Sequence, residues 1–150
     1  MAQSFTNLLY HIVFSTKNRE PLISVEVESR LHAYLGGLVR GLEGIALEIN
    51  GMSDHVHLLA KLSQNRAIKD VLRDLKADSS GWVHKTLPDQ KSFGWQYGYS
   101  AFTVSESQVE RVRQYIQNQK KHHHKMTFQE EVISLLRANK IDFDEQYLWR

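Results

Sequence analysis

The sequence predicts an α+β fold of the ferredoxin-like kind: an antiparallel sheet with helices on one face, followed by an added C-terminal helix. Three observations predict it. The elements between about residues 5 and 104 run strand, helix, strand, strand, helix, strand. Asn50-Gly51 stands between two alternating apolar runs, a hairpin signature with a loop longer than two residues. A further amphipathic segment, opened by a cap-like Ser105-Glu106-Ser107-Gln108, follows the last strand. At 150 residues the chain fits one domain, with a core at about 5–104, the added helix at about 105–121 and a final helix and tail at about 127–150.

Residues 5–15 are rich in aromatic and β-branched side chains, as a central strand covered on both faces requires. Val27, Leu31, Tyr34, Leu35, Leu38, Val39 and Leu42 repeat at helical spacing after Ser24, a plausible N-cap, and Gly41 and Gly44 fall where that helix should end. Gly36-Gly37 weakens the pattern unless the helix packs closely there. Ile45, Leu47 and Ile49 alternate as a strand does, and His55 begins the next one. Ile68, Val71, Leu72 and Leu75 mark a second helix over 66–76, which residues 78–86 either extend or follow with a short third. Trp95 to Val104 returns to strand character, and Phe128, Val132, Leu135 and Leu136 form the last helical stripe behind Thr127 and Glu130, a second capping box. Trp149 either docks on the body or frays.

Composition sets bounds. Charged residues at 24% and hydrophobic ones at 41% are those of an ordinary globular protein. There is no cysteine, which removes disulfides, thiolate catalysis and cysteine zinc sites. No apolar run approaches a membrane span and no signal pattern opens the chain, so the expectation is no membrane partner and a cytoplasmic, prokaryotic setting. The net charge of +2 is unevenly spread: residues 66–125 carry eleven Lys/Arg against six Asp/Glu. A basic middle on a near-neutral chain fits a polyanion partner, although a solvated surface has the same look.

The chemistry-bearing pattern is Asp54-His55-Val56-His57-Leu58. Along a strand alternate residues share a face, so His55 and His57 point one way while Val56, Leu58 and Ala60 point into an apolar layer. Two imidazoles on one rigid face can grip a divalent cation; two half-buried, merely hydrogen-bonded histidines are the plainer reading. The helix at 105–121 buries Val109, Val112 and Ile116, and Tyr115 and Gln119, one turn apart, lie within or beside that stripe. A tyrosine there is ordinarily packed core, but a buried amide needs partners for both its oxygen and its nitrogen, and a metal is one such partner. His122-His123-His124 cannot all meet one ion, because consecutive helical side chains fan out; a helix-dipole or DNA contact suits them better.

The chain resembles the single-tyrosine His-hydrophobe-His (HUH) transposases, the insertion sequence 200/605-type enzymes and their REP-associated relatives. The resemblance rests on Tyr10-His11-Ile12-Val13-Phe14-Ser15-Thr16-Lys17, on Asp54 to Leu58, on Tyr115-Ile116-Gln117-Asn118-Gln119 with His122-His123, on Phe128-Gln129-Glu130-Glu131 with Leu135-Leu136, and on Phe143-Asp144-Glu145. It implies a DNA transposase that cleaves and rejoins single-stranded DNA at hairpin-bearing ends. Tyr115 would be the nucleophile, leaving a 5′-phosphotyrosine, with His55, His57 and Gln119 holding Mg²⁺ or Mn²⁺. It also implies a homodimer, in which the tyrosine serves either its own or the other subunit's histidines, acting at the nucleoid.

Lys17, Arg19, Arg66, Lys69, Arg73, Lys76, Arg111 and Lys120 are candidate phosphate contacts, each with a solvated-surface alternative. No G-x-x-x-x-G-K-[ST] loop occurs, consistent with rejoining that conserves bond energy and needs no ATP. The competing readings are a non-mobile enzyme of the same chemistry, a non-catalytic hairpin-DNA-binding protein of the same fold, and a metal-storage or sensor protein. The last leaves the tyrosine helix without a purpose.

Overall fold

A computed structural model describes residues 2–149. The elements are β1 (Leu8–Ser15), α1 (Val25–Gly41), β2 (Ile45–Met52), β3 (His55–Leu62), α2 (Ile68–Thr86), β4 (Ser100–Thr103), α3 (Val109–Gln117), α4 (Gln119–His122), α5 (Phe128–Ala138) and α6 (Glu145–Leu148). Single 3₁₀ turns occupy Lys17–Arg19 and Glu106–Gln108. The sheet runs in the order β2-β3-β1-β4 with every pair antiparallel, the ferredoxin-like arrangement.

The central strands β1 and β3 are covered on both faces. On one face Ile12, Phe14, Val56, Leu58 and Ala60 meet Leu31, Leu35 and Val39 of α1 and Val71, Leu72 and Leu75 of α2 in the main apolar cluster. On the other, Val13 and Phe102 meet Phe128, Val132 and Leu136 of α5 in a smaller one. The period of two along β3 therefore sorts Val56 and Leu58 to the first face and His55 and His57 to the second.

The β2–β3 hairpin is tighter than glycine-free chain permits. A Cβ on Gly51 would lie 2.2 Å from the His55 carbonyl oxygen, so the strands approach only because position 51 has none. Thr16, fully buried at the end of β1, ties the turn down: its backbone N–H and its Oγ1 both donate to the Asp54 carbonyl, at 2.9 and 3.1 Å.

Several local expectations resolve differently. Residues 78–86 simply continue α2. The strand expected over 95–104 keeps only four residues, because Trp95 forms a single bridge to Thr16 and the chain then loops outward through Tyr97. The box at Ser105–Gln108 does not form: Ser105 Oγ pairs with Ser107 Oγ, a 3₁₀ turn intervenes, and α3 starts at Val109. The box at Thr127 does form, with Glu130 N–H donating to Thr127 Oγ1 at 3.1 Å and Thr127 N–H to Glu130 Oε1 at 3.0 Å. Gly36 and Gly37 are not forced by close packing, since a Cβ on Gly36 would make ordinary contacts and one on Gly37 would meet nothing within 4 Å.

Candidate active site

The helix expected to run unbroken to about residue 121 is interrupted at Asn118, whose ψ of 17° ends α3 and starts α4. β2 stabilises the break. Asn50 Nδ2 donates to the Ile116 and Gln117 carbonyls at 3.0 and 3.1 Å, supplying donors to the exposed end of α3. Gln117 Nε2 donates to Glu48 Oε1 at 2.8 Å, and Lys120 Nζ reaches Glu28, Asn50 and the Gly51 carbonyl. These anchors press Tyr115 and Gln119 against the histidine face of the sheet.

The groups that converge there meet on one carboxylate, Glu131 of α5. His57 Nε2 lies 3.0 Å and His55 Nε2 3.4 Å from its Oε1, and His123 Nε2 is 3.0 Å from the same oxygen. Gln119 Nε2 donates to Oε2 at 2.8 Å, and the Tyr115 hydroxyl donates to Oε2 as well. Gln119 Oε1 accepts from His55 Nε2 at 3.1 Å. His55, His57 and Gln119 are fully buried and Glu131 nearly so. The Phe128 ring closes the assembly, stacked on His55 at 4.2 Å.

Each histidine is oriented through its second nitrogen. His55 Nδ1–H donates to Asp54 Oδ1 at 2.7 Å, and His57 Nδ1 pairs with His11 Nε2 at 2.8 Å. Such outer partners fix ring orientation in metal sites, leaving Nε2 to the centre. Burial by itself would lower the His55 pKa, but the hydrogen bonds to Asp54 and Glu131 outweigh it and raise the group to about 9. Burial wins at His57, which falls to about 4, and at His11, which falls to about 3 with His57 adding to the shift. The Tyr115 phenol is pushed well up, first by burial and then by the adjacent Glu131 carboxylate. Burial opposes ionisation of Glu131, yet the bonds from His55, His57 and Tyr115 hold its carboxyl far below the usual range.

The donor set fits a divalent cation. One ligand atom each from His55, His57 and Glu131 lies within 4.8 Å of the others, and Gln119 Oε1 faces the same space. Two imidazoles, a carboxylate and an amide oxygen are donors that a divalent cation accepts.

Four of the sequence-predicted site residues, His55, His57, Tyr115 and Gln119, are thus together, and Tyr115 lies against the histidines of its own chain, its ring 5.9 Å from that of His57. Glu131 and His123 were missed. Glu131 carried a signal, a carboxylate beside Val132 and one turn from Phe128 on a buried stripe. His123 carried none, and the dipole or DNA role expected for the triple histidine is corrected for this member, which bonds Glu131 instead.

The basic candidates scatter. Lys120 is engaged by Glu28 and β2 as described. Lys76 Nζ donates to the Gln96 and Gly98 carbonyls at 2.6 and 2.7 Å, Arg73 pairs with Asp70 and Asp74 at 3.2 Å each, and Arg66 lies 3.8 Å from Glu43. Arg19 stacks over Trp149, 5.2 Å from the ring, so the C-terminal tryptophan docks. Arg111 is exposed on α3, and Lys17 and Lys69 line a groove beside α2.

A ferredoxin-like sheet here carries a buried His-x-His pair with a tyrosine of α3 turned onto the same centre. The chain belongs to the IS200-like transposase family, whose model matches residues 4–119. It is 33% identical over 119 residues to the ISDra2 transposase TnpA of Deinococcus radiodurans, a match spanning 75% of this chain and 84% of that protein. The crystal structure of a protein from Deinococcus radiodurans R1 assigned as a transposase superimposes with a TM-score of 0.62 at 27% identity, covering 77% of this chain and 93% of that one. A REP-associated tyrosine transposase bound to a REP hairpin shares the fold, with a TM-score of 0.60 at 13% identity over 81% of this chain and 72% of that one. No helix among the described residues is long and apolar enough to cross a membrane.

Proposed function

We propose that this transposase cleaves and rejoins single-stranded DNA at hairpin-bearing ends, with Tyr115 as nucleophile and a divalent metal at the histidine centre. The observation that carries the reading is the convergence of the Tyr115 hydroxyl, both His-x-His Nε2 atoms and the Gln119 amide on Glu131. The Tyr115 phenolic oxygen attacks the scissile phosphorus, the P–O3′ bond breaks, and the products are a 5′-phosphotyrosine and a free 3′-hydroxyl. Rejoining reverses the step at a new 3′ end without ATP.

A phenol is a weak nucleophile at neutral pH; the bond to Glu131 Oε2 orients the Tyr115 hydroxyl, whose proton ends on the departing 3′ oxygen. His55 and His57 would hold Mg²⁺ or Mn²⁺ together with Glu131 and Gln119. Bound there, the cation would polarise the phosphate and stabilise the charge that builds on it. Ligation through His57 Nε2 requires the His57 proton on Nδ1, donating to His11 Nε2 across the 2.8 Å contact, with His11 carrying its own proton on Nδ1 so that both rings stay neutral. The likeness to a REP-associated tyrosine transposase bound to a REP hairpin supports hairpin DNA as the partner, and a homodimer acting at the nucleoid of a prokaryotic cytoplasm is proposed with it.

One observation favours a second reading, a non-mobile or non-catalytic hairpin-DNA-binding protein: the histidine pair and Gln119 have no exposed surface, so a phosphate reaches them only if the elements covering them shift. The experiment that separates the two is incubation with labelled single-stranded DNA from the gene's own flanks, with Mg²⁺ or Mn²⁺, on a denaturing gel. A covalent band that disappears in Tyr115→Phe is the expected result. Tight hairpin binding without any band moves the assignment to the second reading.

A further inference from the structure

On the sheet face opposite the histidines, α2 and the loop carrying residues 91–99 enclose a groove of about 1140 Å³. Small-molecule sites run to roughly 300–1,000 Å³, so this groove lies at the upper end of what such sites reach. Its walls are basic. Lys17, Lys69, Arg73, Lys76 and Lys91 line it against one carboxylate, Glu20. Lys76 is used to hold the loop and Arg73 is paired with its neighbouring aspartates. The Lys17, Lys69 and Lys91 ammonium groups form no ion pair among the described residues.

The groove is also aromatic, and the aromatic group that matters is presented to solvent. Tyr97 is 96% exposed and Tyr99 39%, while Trp95 and Phe93 form the base beneath them. A single exposed tyrosine means little. This one stands on a braced loop: the carbonyls on either side of it, from Gln96 and Gly98, both accept from Lys76 Nζ. Gln96 Oε1 accepts from Asn18 N–H at 2.7 Å, and Gly98 takes a φ of 85° that favours glycine. The ring is therefore held out by a rigid backbone. Gln96, Tyr97, Gly98 and Tyr99 also line a second, smaller concavity, whose far wall includes Phe128, the residue stacked on His55. The loop is the crest between the groove and the helix that covers the histidine centre.

We propose that this groove is a binding track for unpaired nucleotides of a DNA strand, with a base stacking on Tyr97, phosphates met by Lys17, Lys69 and Lys91, and the strand passing over the loop towards α5. Basic side chains interleaved with exposed aromatic rings are what single strands need, because their bases have free faces to stack, whereas those of a duplex do not. The choice of deoxyribonucleotide over ribonucleotide rests on the function proposed above; the stacking track itself does not.

The test is fluorescence anisotropy with 5′-fluorescein-labelled dT16 and the full chain, in EDTA so that no metal chemistry contributes. Tyr97→Ala is expected to weaken binding about tenfold, as loss of one base–aromatic stack does. Tyr97→Phe, which keeps the ring, is expected to bind as the parent does. Lys69→Ala and Lys91→Ala are each expected to reduce the salt slope by about 0.7, one lost phosphate contact. Because Tyr97 is almost wholly exposed, these results do not depend on a folding defect. Equal affinity in Tyr97→Ala overturns the proposal. So does equally tight binding of a duplex of the same length, or tighter binding of U16 RNA. A change in sedimentation of Tyr97→Ala with unchanged affinity assigns the ring to contact between two copies and overturns it too. Loss of the covalent adduct with Tyr97-dependent binding intact counts against the catalytic reading alone, and the converse against the track alone.

Discussion

The two faces of the sheet share their strands but not their chemistry. On one, β3 contributes Val56, Leu58 and Ala60 to a continuous apolar cluster with α1 and α2. On the other, the same strand contributes His55 and His57 to a polar centre with His11, Gln119 and Glu131, set beside a smaller apolar cluster of Val13, Phe102, Phe128, Val132 and Leu136. The first face is ordinary core, stabilising in proportion to the area it removes from water. The second is tolerated because it is paired: Glu131 accepts from His57, from His123, from Gln119 and from Tyr115, with His55 Nε2 3.4 Å away, and an unpaired buried carboxylate would not stay ionised. The lesson is a division of labour at single-residue spacing, in which a rigid strand anchored on its apolar side holds ligands on the other.

That division can be broken from either side. The largest expected effect is on function alone. Tyr115→Phe should lose the covalent DNA adduct completely on a denaturing gel while keeping its far-ultraviolet circular dichroism. An adduct in that variant would remove Tyr115 as nucleophile.

Next comes Glu131→Ala, which leaves the raised-pKa His55 and its neighbours facing an empty hub. Deleting one partner of a buried charged pair costs about 3–5 kcal/mol. Urea unfolding in EDTA should show that loss, and Mn²⁺ should restore less stability to the variant than to the parent. A parent-like unfolding midpoint would mean that the hub is not structural.

Leu58→Ala strikes the apolar face one residue from His57. The expected cost is about 2–5 kcal/mol of stability, with the adduct yield per folded molecule unchanged. A matching fall in yield would show that the two faces are coupled more tightly than a shared strand implies.

The smallest effect concerns how α5, and with it Glu131, is started. Thr127→Ala removes the N-cap and should lower stability by about 1 kcal/mol in the same urea assay. Hydrogen bonding to Thr127 holds the Glu130 carboxyl below its ordinary pKa. Its contribution is therefore fully present above the unfolded-state pKa and lost as pH falls through the folded one. An acid titration followed by circular dichroism should show Glu130→Gln with a shallower acid-side loss than the parent. Identical curves would leave the box without a measurable role.

What the sequence determined by itself was whatever a single element's periodicity can encode. Alternation along β3 placed His55 and His57 on one face, and the Thr127–Glu130 pair marked the start of α5. These follow from local geometry, and they hold whether or not the elements ever meet. The ferredoxin-like order was legible for the same reason, because each element announced itself. The break at Asn118 was not, since Asn50 of β2 and Lys120 stabilise it across the sheet edge. Tyr115 and Gln119 meet on Glu131 although the helix expected to carry both breaks between them. Ser105 looks like Thr127 in sequence, yet only one box closed. Glu131 and His123 joined the centre because α5 folds back over the second face, and only that packing decides which oxygen faces which nitrogen. A carboxylate buried among three imidazoles, a phenol and an amide is specified by several distant elements at once, so tertiary structure alone could place it.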